Sequence, residues 1–303
     1  MKRMISRKKF LSTTIAGLAG IKMMSQALNN SQTEISVKRK VGKSGILVTP
    51  VCFGASRTNE ASLIRYVIDK GINFIDTGRT YSNGNNEKLV GKAISEIRHN
   101  VVIQSKLRLD ESELPSGGKG KNGAEEIRSV LNNKLEASLK ALDSDYIDIL
   151  LYHSASDENL LFHPEVMKFF DGMKRSGVIK AHGFSAHNDN MNLIERNNKE
   201  LFYDMVMVPF NYKGSLVHSI TGEYSEWEQS QLISLLTEAG DKGIGVIAMK
   251  TCSGGKYSPS PDVEPSYPEA VKWVLGNTFI SSAAVAMANF EQVNEHISML
   301  DKL

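Results

Sequence analysis

Apolar residues recur along the chain in short runs, and amphipathic stretches separate these runs. Eight runs are apolar nearly throughout, as expected for strands that are buried on both faces. The predicted strands cover residues 49–53, 73–77, 101–106, 147–153, 180–185, 205–210, 245–250 and 282–287. Helical periodicity occupies most of the intervening segments. The predicted helices cover residues 60–70, 87–96, 125–142, 164–176, 226–242, 268–276 and 291–300.

Strands that alternate with helices indicate a parallel sheet of the α/β class. Because no linker interrupts the alternation, we predict one closed (β/α)8 TIM barrel over residues 35–303, with a short β-hairpin within residues 37–48 at its bottom. The competing architecture is an open doubly wound sheet. It would show a glycine-rich phosphate-binding sequence after its first strand, and Gly54-Ala55-Ser56 is not such a sequence.

Composition changes this picture little. A formal net charge of +2 gives no reason to expect nucleic acid as a partner. The two cysteines, Cys52 and Cys252, have no metal-ligand spacing around them. We therefore expect buried thiols and no metal site.

The first 34 residues differ in character from the rest. Five basic residues precede an apolar stretch at 10–21, which is too short to span a bilayer comfortably but suits a signal peptide. The segment SRKKFL at 6–11 resembles the twin-arginine export signal, with Lys8 in place of the second arginine. We predict a signal peptide and linker over residues 1–34, a periplasmic or exported protein without stable membrane insertion after processing, and the twin-arginine export machinery as a transient partner. A tail on a cytoplasmic protein is the alternative.

Side chains able to do chemistry stand at the ends of three consecutive predicted strands. Asp76 is at the end of the second strand and Tyr81 follows on the next loop, while Lys106 and His153 end the third and fourth strands. In a barrel, the carboxyl ends of neighbouring strands converge. We therefore predict that these four residues form one catalytic group.

The four residue types have complementary chemical roles. A phenol with a pKa of about 10 is a poor proton donor at neutral pH. A neighbouring ammonium would lower that pKa, and a carboxylate would keep the ammonium charged and placed. Tyr81 could then protonate a carbonyl oxygen, with His153 orienting it. Alone, Lys106 would be read as a solvated side chain, and His153 as a structural one.

The sequence around these residues resembles the aldo-keto reductase superfamily. The segments FIDTGRTY at 74–81 and NEKLVGKA at 86–93 look like that family's signature, and SLKALDSDYIDILLYH at 138–153 matches a second family segment. Shorter matches follow at 183–185, 209–211, 243–250 and 291–295. The resemblance implies a (β/α)8 barrel with Asp76, Tyr81, Lys106 and His153 as the catalytic tetrad.

The same resemblance implies NADP as cofactor, with NAD as the alternative, bound extended across the barrel mouth. The implied cofactor-binding residues are Gly54, Ala55, Asp76, Ser185, Met249, Lys250, Thr251, Ser253, Gly254, Gly255, Gln292 and Glu295. Several positions depart from the family pattern. Met207 and Met249 replace a Gln and a Tyr that contact the nicotinamide, and Ala286 and Gln292 lack the charge that usually meets a 2′-phosphate. The choice between NAD and NADP therefore stays open.

These features predict an oxidoreductase that transfers hydride between a nicotinamide and a small carbonyl or alcohol substrate. A non-enzymatic barrel that holds the cofactor as a redox sensor or structural ligand is the alternative. A barrel hydrolase would need paired carboxylates, and Asp76 is the one clear strand-end acid in the cluster. Two long loops, 108–122 and 211–225, follow strand ends and would shape the substrate pocket. Tyr212, His218, Tyr224 and Trp227 would either line this pocket or pack against the barrel rim.

Overall fold

The computed structural model describes residues 35, 37–110, 113, 121–187, 190–217 and 222–303. The predicted signal peptide and linker over residues 1–34 lie outside the described residues. Among the helices of the described part, none is long and apolar enough to cross a membrane.

Eight parallel strands close into a barrel, which confirms the predicted (β/α)8 fold. They follow one another around the barrel in chain order, and the last strand pairs with the first. The barrel strands are β3 (Val51–Gly54), β4 (Phe74–Asp76), β5 (Val102–Leu107), β6 (Ile147–Tyr152), β7 (Ile179–Ser185), β8 (Met205–Pro209), β11 (Gly245–Met249) and β12 (Ile280–Val285).

Helices pack around the outside of these strands. In the described part they are α1 (Ala61–Asp69), α2 (Asn85–Ile94), α3 (Lys121–Leu142), α4 (Glu158–Leu161), α5 (Pro164–Arg175), α6 (Asn190–Glu200), α7 (Gln229–Asp241), α8 (Tyr267–Leu275) and α9 (Phe290–Leu300). Two antiparallel hairpins complete the fold: β1 (Arg39–Lys40) pairs with β2 (Leu47–Val48), and β9 (Ser215–Val217) pairs with β10 (Tyr224–Glu226).

Successive residues of each barrel strand point to opposite sides of the sheet, which gives two apolar layers. Phe74 belongs to the cluster inside the barrel, and its neighbour Ile75 belongs to the layer between strands and helices. The predicted hairpin β1–β2 closes the bottom of the barrel, since Val41 and Val48 pack into the inner cluster. Gly42 permits this closure, because a Cβ there would lie 2.3 Å from the Gly243 carbonyl oxygen.

The predicted strands end within two residues of the observed bounds, but three other predictions need correction. The segment 211–225 is not a plain loop, because it contains β9 and most of β10. Glu226, predicted within a helix, belongs to β10. The α7 helix begins at Gln229 instead, where Glu228 caps it by accepting a hydrogen bond from Ser230 N. Lys121 and Asn122, predicted as loop, are the first residues of α3.

The α6 helix is not among the predicted helices. Its sequence, NMNLIERNNKE, hides an apolar face among asparagines and charges. Two of the asparagines are buried and bonded rather than solvated. Asn197 accepts from Tyr203 N at 2.9 Å and donates to Tyr203 O at 3.0 Å. Contacts of this kind stabilise the helix, and the hydrophobic periodicity of the sequence does not reveal them.

Asp148 on β6 ties neighbouring strands together from outside the barrel. It accepts hydrogen bonds from Ile103 N at 2.9 Å and Lys180 Nζ at 2.6 Å, and pairs with Arg98 at 2.9 Å. Asp148→Ala should lower the free energy of unfolding by about 3 kcal/mol, because a buried amide and two cations lose their partner. Urea unfolding measures this. Asp69→Ala, in the exposed Arg65–Asp69 pair, is the control and should cost about 0.5 kcal/mol or less; equal losses would contradict the assignment.

Candidate active site

The four predicted catalytic residues meet at the carboxyl end of the barrel. A buried ion pair is at the centre: Lys106 Nζ lies 2.5 Å from Asp76 Oδ1. The same ammonium donates to Thr77 O at 2.8 Å and to the Tyr81 hydroxyl oxygen at 3.2 Å. Strand pairing produces this geometry, because Asp76 on β4 is in register with Gln104 on β5, two residues before Lys106.

The loop after β4 carries Tyr81 and is fixed at several points. Arg79 N donates to Lys106 O at 2.9 Å, and its guanidinium forms an ion pair at 2.7 Å with Glu87, which is fully buried. Gly84 lies directly beside this guanidinium, since a Cβ on Gly84 would lie 1.0 Å from Arg79 Nη2. Its φ of +80° also favours glycine. The Tyr81 side chain is therefore held by a rigid turn.

Burial raises the pKa of Tyr81 above its ordinary value, although Lys106 acts in the opposite direction. Lys106 thus acts as expected from the sequence, but burial outweighs it and the net shift of the Tyr81 pKa is upward. Burial alone would lower the pKa of Lys106, but Asp76 and Tyr81 offset it and the net shift is upward. At neutral pH the site therefore holds a protonated phenol beside a charged ammonium.

His153 packs against Tyr81, with ring centroids 5.6 Å apart in an edge-to-face arrangement. Burial lowers the pKa of His153 to about 3, and Lys106, His187 and Arg108 add to the shift. The imidazole is therefore neutral. Its Nδ1 lies 3.2 Å from Thr80 Oγ1. If that hydroxyl donates to Nδ1, the ring proton lies on Nε2, from which it can form a hydrogen bond to another group.

Sequence reasoning missed two buried neighbours of the ion pair. Gln104 donates through Nε2 to Asp76 Oδ1 at 2.6 Å. The sequence could have indicated this neighbour, because Gln104 lies two residues before Lys106 and therefore on the same face of the strand. Cys52, predicted as a buried thiol, is buried inside the barrel. Burial raises the pKa of that thiol well above its ordinary value, and the charge of Asp76 adds to the shift.

Most of the predicted cofactor residues lie at the same end of the barrel. Gly54 ends β3 and is followed by Ala55, Ser185 ends β7, and Met249 ends β11. Thr251, Ser253, Gly254 and Gly255 form the loop that follows β11. Gly255 has a φ of +90°, which favours glycine. The Tyr212 hydroxyl lies 2.8 Å from Gly254 O and 2.9 Å from Lys256 O, so Tyr212 fixes this loop.

Lys250 and Arg57 form a cationic pair at this mouth. Burial lowers the pKa of the half-buried Lys250 ammonium, and the nearby Arg57 guanidinium lowers it further. Within the described residues, neither cation forms an ion pair with a carboxylate. Two uncompensated cations beside a loop of small residues are a donor set that fits a pyrophosphate.

Within the described residues, the two predicted cofactor residues on α9 form no hydrogen bond with the tetrad. Gln292 Oε1 accepts from Ala288 N at 2.8 Å, while Gln292 N donates to the capping residue Asn289 at 2.9 Å. Gln292 therefore stabilises the start of the helix. Glu295 is exposed on the same helix.

A cavity of about 530 Å³ opens beside α6 and β10, and its lining is mostly polar. It is lined by His187, Asn190, Met191, Asn192, Ser225, Glu226, Trp227 and Gln231. His187 also lies near the catalytic group, because it contributes to the lowered pKa of His153. Of the four residues predicted to line a pocket or pack at the rim, Trp227 lines this cavity, Tyr224 is exposed, and His218 lies outside the described residues.

Comparison with known proteins agrees with the fold. The sequence pattern of the Aldo/keto reductase family matches residues 53–300. The chain therefore belongs to the Aldo/keto reductase family, a family of oxidoreductases.

Individual relatives are distant. An uncharacterized oxidoreductase of Bacillus subtilis is 28% identical over 164 residues, 51% of this chain and 50% of that protein, so the chain spans about half the length of that relative. L-Galactose dehydrogenase of Arabidopsis thaliana is 23% identical over 88% of each chain. Among solved structures, a holo aldo-keto reductase of Bacillus halodurans matches with a TM-score of 0.65 at 21% identity, over 87% of this chain and 90% of that one.

The lowered pKa of His153 makes folding depend on pH. Because the folded pKa of about 3 is below the ordinary 6.5, the unfolded chain binds the proton first as pH falls. The contribution of His153 to the free energy of unfolding should be fully present above pH 6.5 and should be lost as the pH falls from 6.5 to 3. His153→Gln should reduce this fall by up to about 1.4 kcal/mol per pH unit, measured by urea unfolding from about pH 7 to about pH 5. Identical pH slopes in the variant and the parent protein would contradict a buried neutral imidazole.

Proposed function

We propose that this protein is an NAD(P)(H)-dependent oxidoreductase that interconverts a carbonyl and an alcohol, with Tyr81 as general acid and base. One observation carries the proposal: the Tyr81 hydroxyl lies 3.2 Å from a buried ammonium that is itself paired with Asp76 at 2.5 Å. A phenol has no need of such partners for packing. It does need them if it must bear a transient negative charge.

We propose NADP as the cofactor. An aldo-keto reductase of Klebsiella pneumoniae that shares the fold, with a TM-score of 0.63 and 21% identity over 88% of this chain and 90% of that one, was crystallised in complex with NADPH. In this chain Lys250 and Arg57 would hold the pyrophosphate, and Met249 would give the nicotinamide an apolar surface. The bound cofactor supplies the hydride.

The chain's own residues handle the proton. In reduction, hydride reaches the carbonyl carbon while the Tyr81 hydroxyl gives its proton to the carbonyl oxygen. Lys106 stabilises the phenolate that forms, and Asp76 keeps the ammonium charged. His153, neutral and bonded to Thr80 through Nδ1, donates from Nε2 to the same oxygen and fixes its direction. Solvent returns the proton to Tyr81, and oxidation runs the same steps in reverse.

Tyr81→Phe should lower kcat/KM for carbonyl reduction by about 10²- to 10⁴-fold, since the proton donor is lost. Cofactor binding, followed by quenching of protein fluorescence, should stay near the parent value because the ring is kept. Tyr66→Phe is a matched control, as it removes a phenol hydroxyl bonded to Asn294 on the outside of the barrel, and it should keep full turnover.

Near-normal turnover in Tyr81→Phe would exclude Tyr81 as the acid. If the parent protein binds the cofactor but turns over no aldehyde, ketone or sugar, the oxidoreductase proposal fails. The alternative, a barrel that holds a nicotinamide cofactor as a sensor or structural ligand, would then be favoured.

We also propose that the protein is exported with its cofactor already bound. The support is the basic and apolar pattern of residues 1–34, since the twin-arginine route carries folded proteins. Native mass spectrometry of protein isolated from the cell envelope should show a shortened chain and the added mass of one dinucleotide with a 2′-phosphate. A full-length apoprotein confined to the cytoplasm would contradict export, and a dinucleotide without the phosphate would replace NADP by NAD.

A further inference from the structure

Gln104 is a polar side chain in a largely apolar layer. It is fully buried, and the cluster that fills the barrel interior around it is formed by residues such as Cys52, Phe74, Ile149 and Met207. Its amide nitrogen lies 2.6 Å from Asp76 Oδ1 and 3.3 Å from Met207 Sδ. Neither the family signature nor the tetrad includes this residue.

The amide of Gln104 and the ammonium of Lys106 share one acceptor atom. Asp76 Oδ1 receives Lys106 Nζ at 2.5 Å and Gln104 Nε2 at 2.6 Å. The Gln104 backbone also holds the start of the loop after β4 that carries Tyr81, because Thr77 N donates to Gln104 O at 2.9 Å. The Gln104 side chain therefore fixes the carboxylate of Asp76, while the Gln104 main chain fixes Thr77.

This arrangement has an energetic cost. Gln104 Oε1 is buried and has no hydrogen-bond partner within the described residues. A buried acceptor without a partner is destabilising, and an apolar side chain of similar length would avoid that cost. The N–H donated to Asp76 is the contribution that an apolar side chain could not make.

We propose that Gln104 is a positioning residue for the Tyr81 acid and base: by occupying part of Asp76 Oδ1, it keeps Lys106 within reach of the phenol oxygen. This proposal rests on the proposed function of Tyr81. If two donors divide the charge of one carboxylate oxygen, the ammonium is neutralised less completely by Asp76. More of its field then acts on the oxygen of Tyr81.

The test compares Gln104→Met with Tyr203→Phe in the full chain. Methionine keeps the length of the side chain but donates nothing to Asp76. Tyr203 lies between α6 and β8, and its hydroxyl donates to Leu161 O at 2.6 Å, so Tyr203→Phe removes an equally short buried hydrogen bond away from the tetrad. The chain has nine tyrosines. Carbon-13 labelling of their rings gives a readout for Tyr81 by NMR titration, with Tyr81→Phe identifying its signal.

Gln104→Met should raise the pKa of Tyr81 by about one unit and lower kcat for carbonyl reduction by about tenfold, with KM changed little. Tyr203→Phe should reduce stability but leave both values as in the parent. An unchanged Tyr81 titration in Gln104→Met, or equal effects in both variants, would overturn the proposal.

Gln104→Glu supplies a rescue that a purely structural role would not produce. A protonated carboxyl can donate O–H to Asp76 as the amide does, whereas an ionised one repels it. Activity should therefore approach the parent value on the acid side and fall as the introduced carboxyl ionises; a pH profile parallel to that of the parent would contradict the proposal.

The Gln104→Glu variant also tests the proposal if Gln104→Met does not fold. Near-normal turnover in Tyr81→Phe would instead mark failure of the proposed function, while the Tyr81 titration in the Gln104 variants would still report the positioning effect.

Discussion

The structure of the site depends on one buried ion pair, between Lys106 and Asp76. Removing an ammonium and a carboxylate from water is expensive, and mutual attraction repays the cost only when other polar partners are present. Here Thr77 O and the Tyr81 hydroxyl complete the shell of the ammonium, and Gln104 completes that of the carboxylate. The Tyr81 hydroxyl therefore helps to offset the cost of burying the ammonium, and the same contact places that hydroxyl in the candidate active site.

The barrel makes such a pair possible because strand pairing sets the backbone positions from which the two side chains extend. Parallel register sets Asp76 opposite Gln104, and the two-residue period of β5 then brings Lys106 to the same face one level higher. The Arg79–Glu87 pair holds the following loop from the helix side. Strands therefore position the ions, while the loop positions the phenol, and the two sets of contacts meet at Lys106 O and Nζ.

The barrel and the tetrad could be predicted from sequence because both follow from the order of strands and the residues at their ends. Three things could not. The α6 helix is held by buried asparagines whose bonds are tertiary, and Glu226 changes element because β9 is available to pair with β10. The net pKa shift of Tyr81 depends on burial, which no list of neighbours provides. Residue types at strand ends locate a site, whereas the pKa values within it depend on how deeply the folded chain buries each group.

The cations at the barrel mouth separate cofactor binding from cofactor choice. On the proposed function, Lys250 and Arg57 act on the pyrophosphate, which NAD and NADP share, so their charge strengthens binding of both equally. Discrimination must come from donors that reach the 2′-phosphate. At the start of α9, Gln292 is already used to satisfy Ala288 N, and Ala286 has no polar side chain to offer. A preference for NADP then depends on backbone amides or on residues that lie elsewhere than the start of α9. Charge-assisted donors among them would bind the 2′-phosphate dianion best.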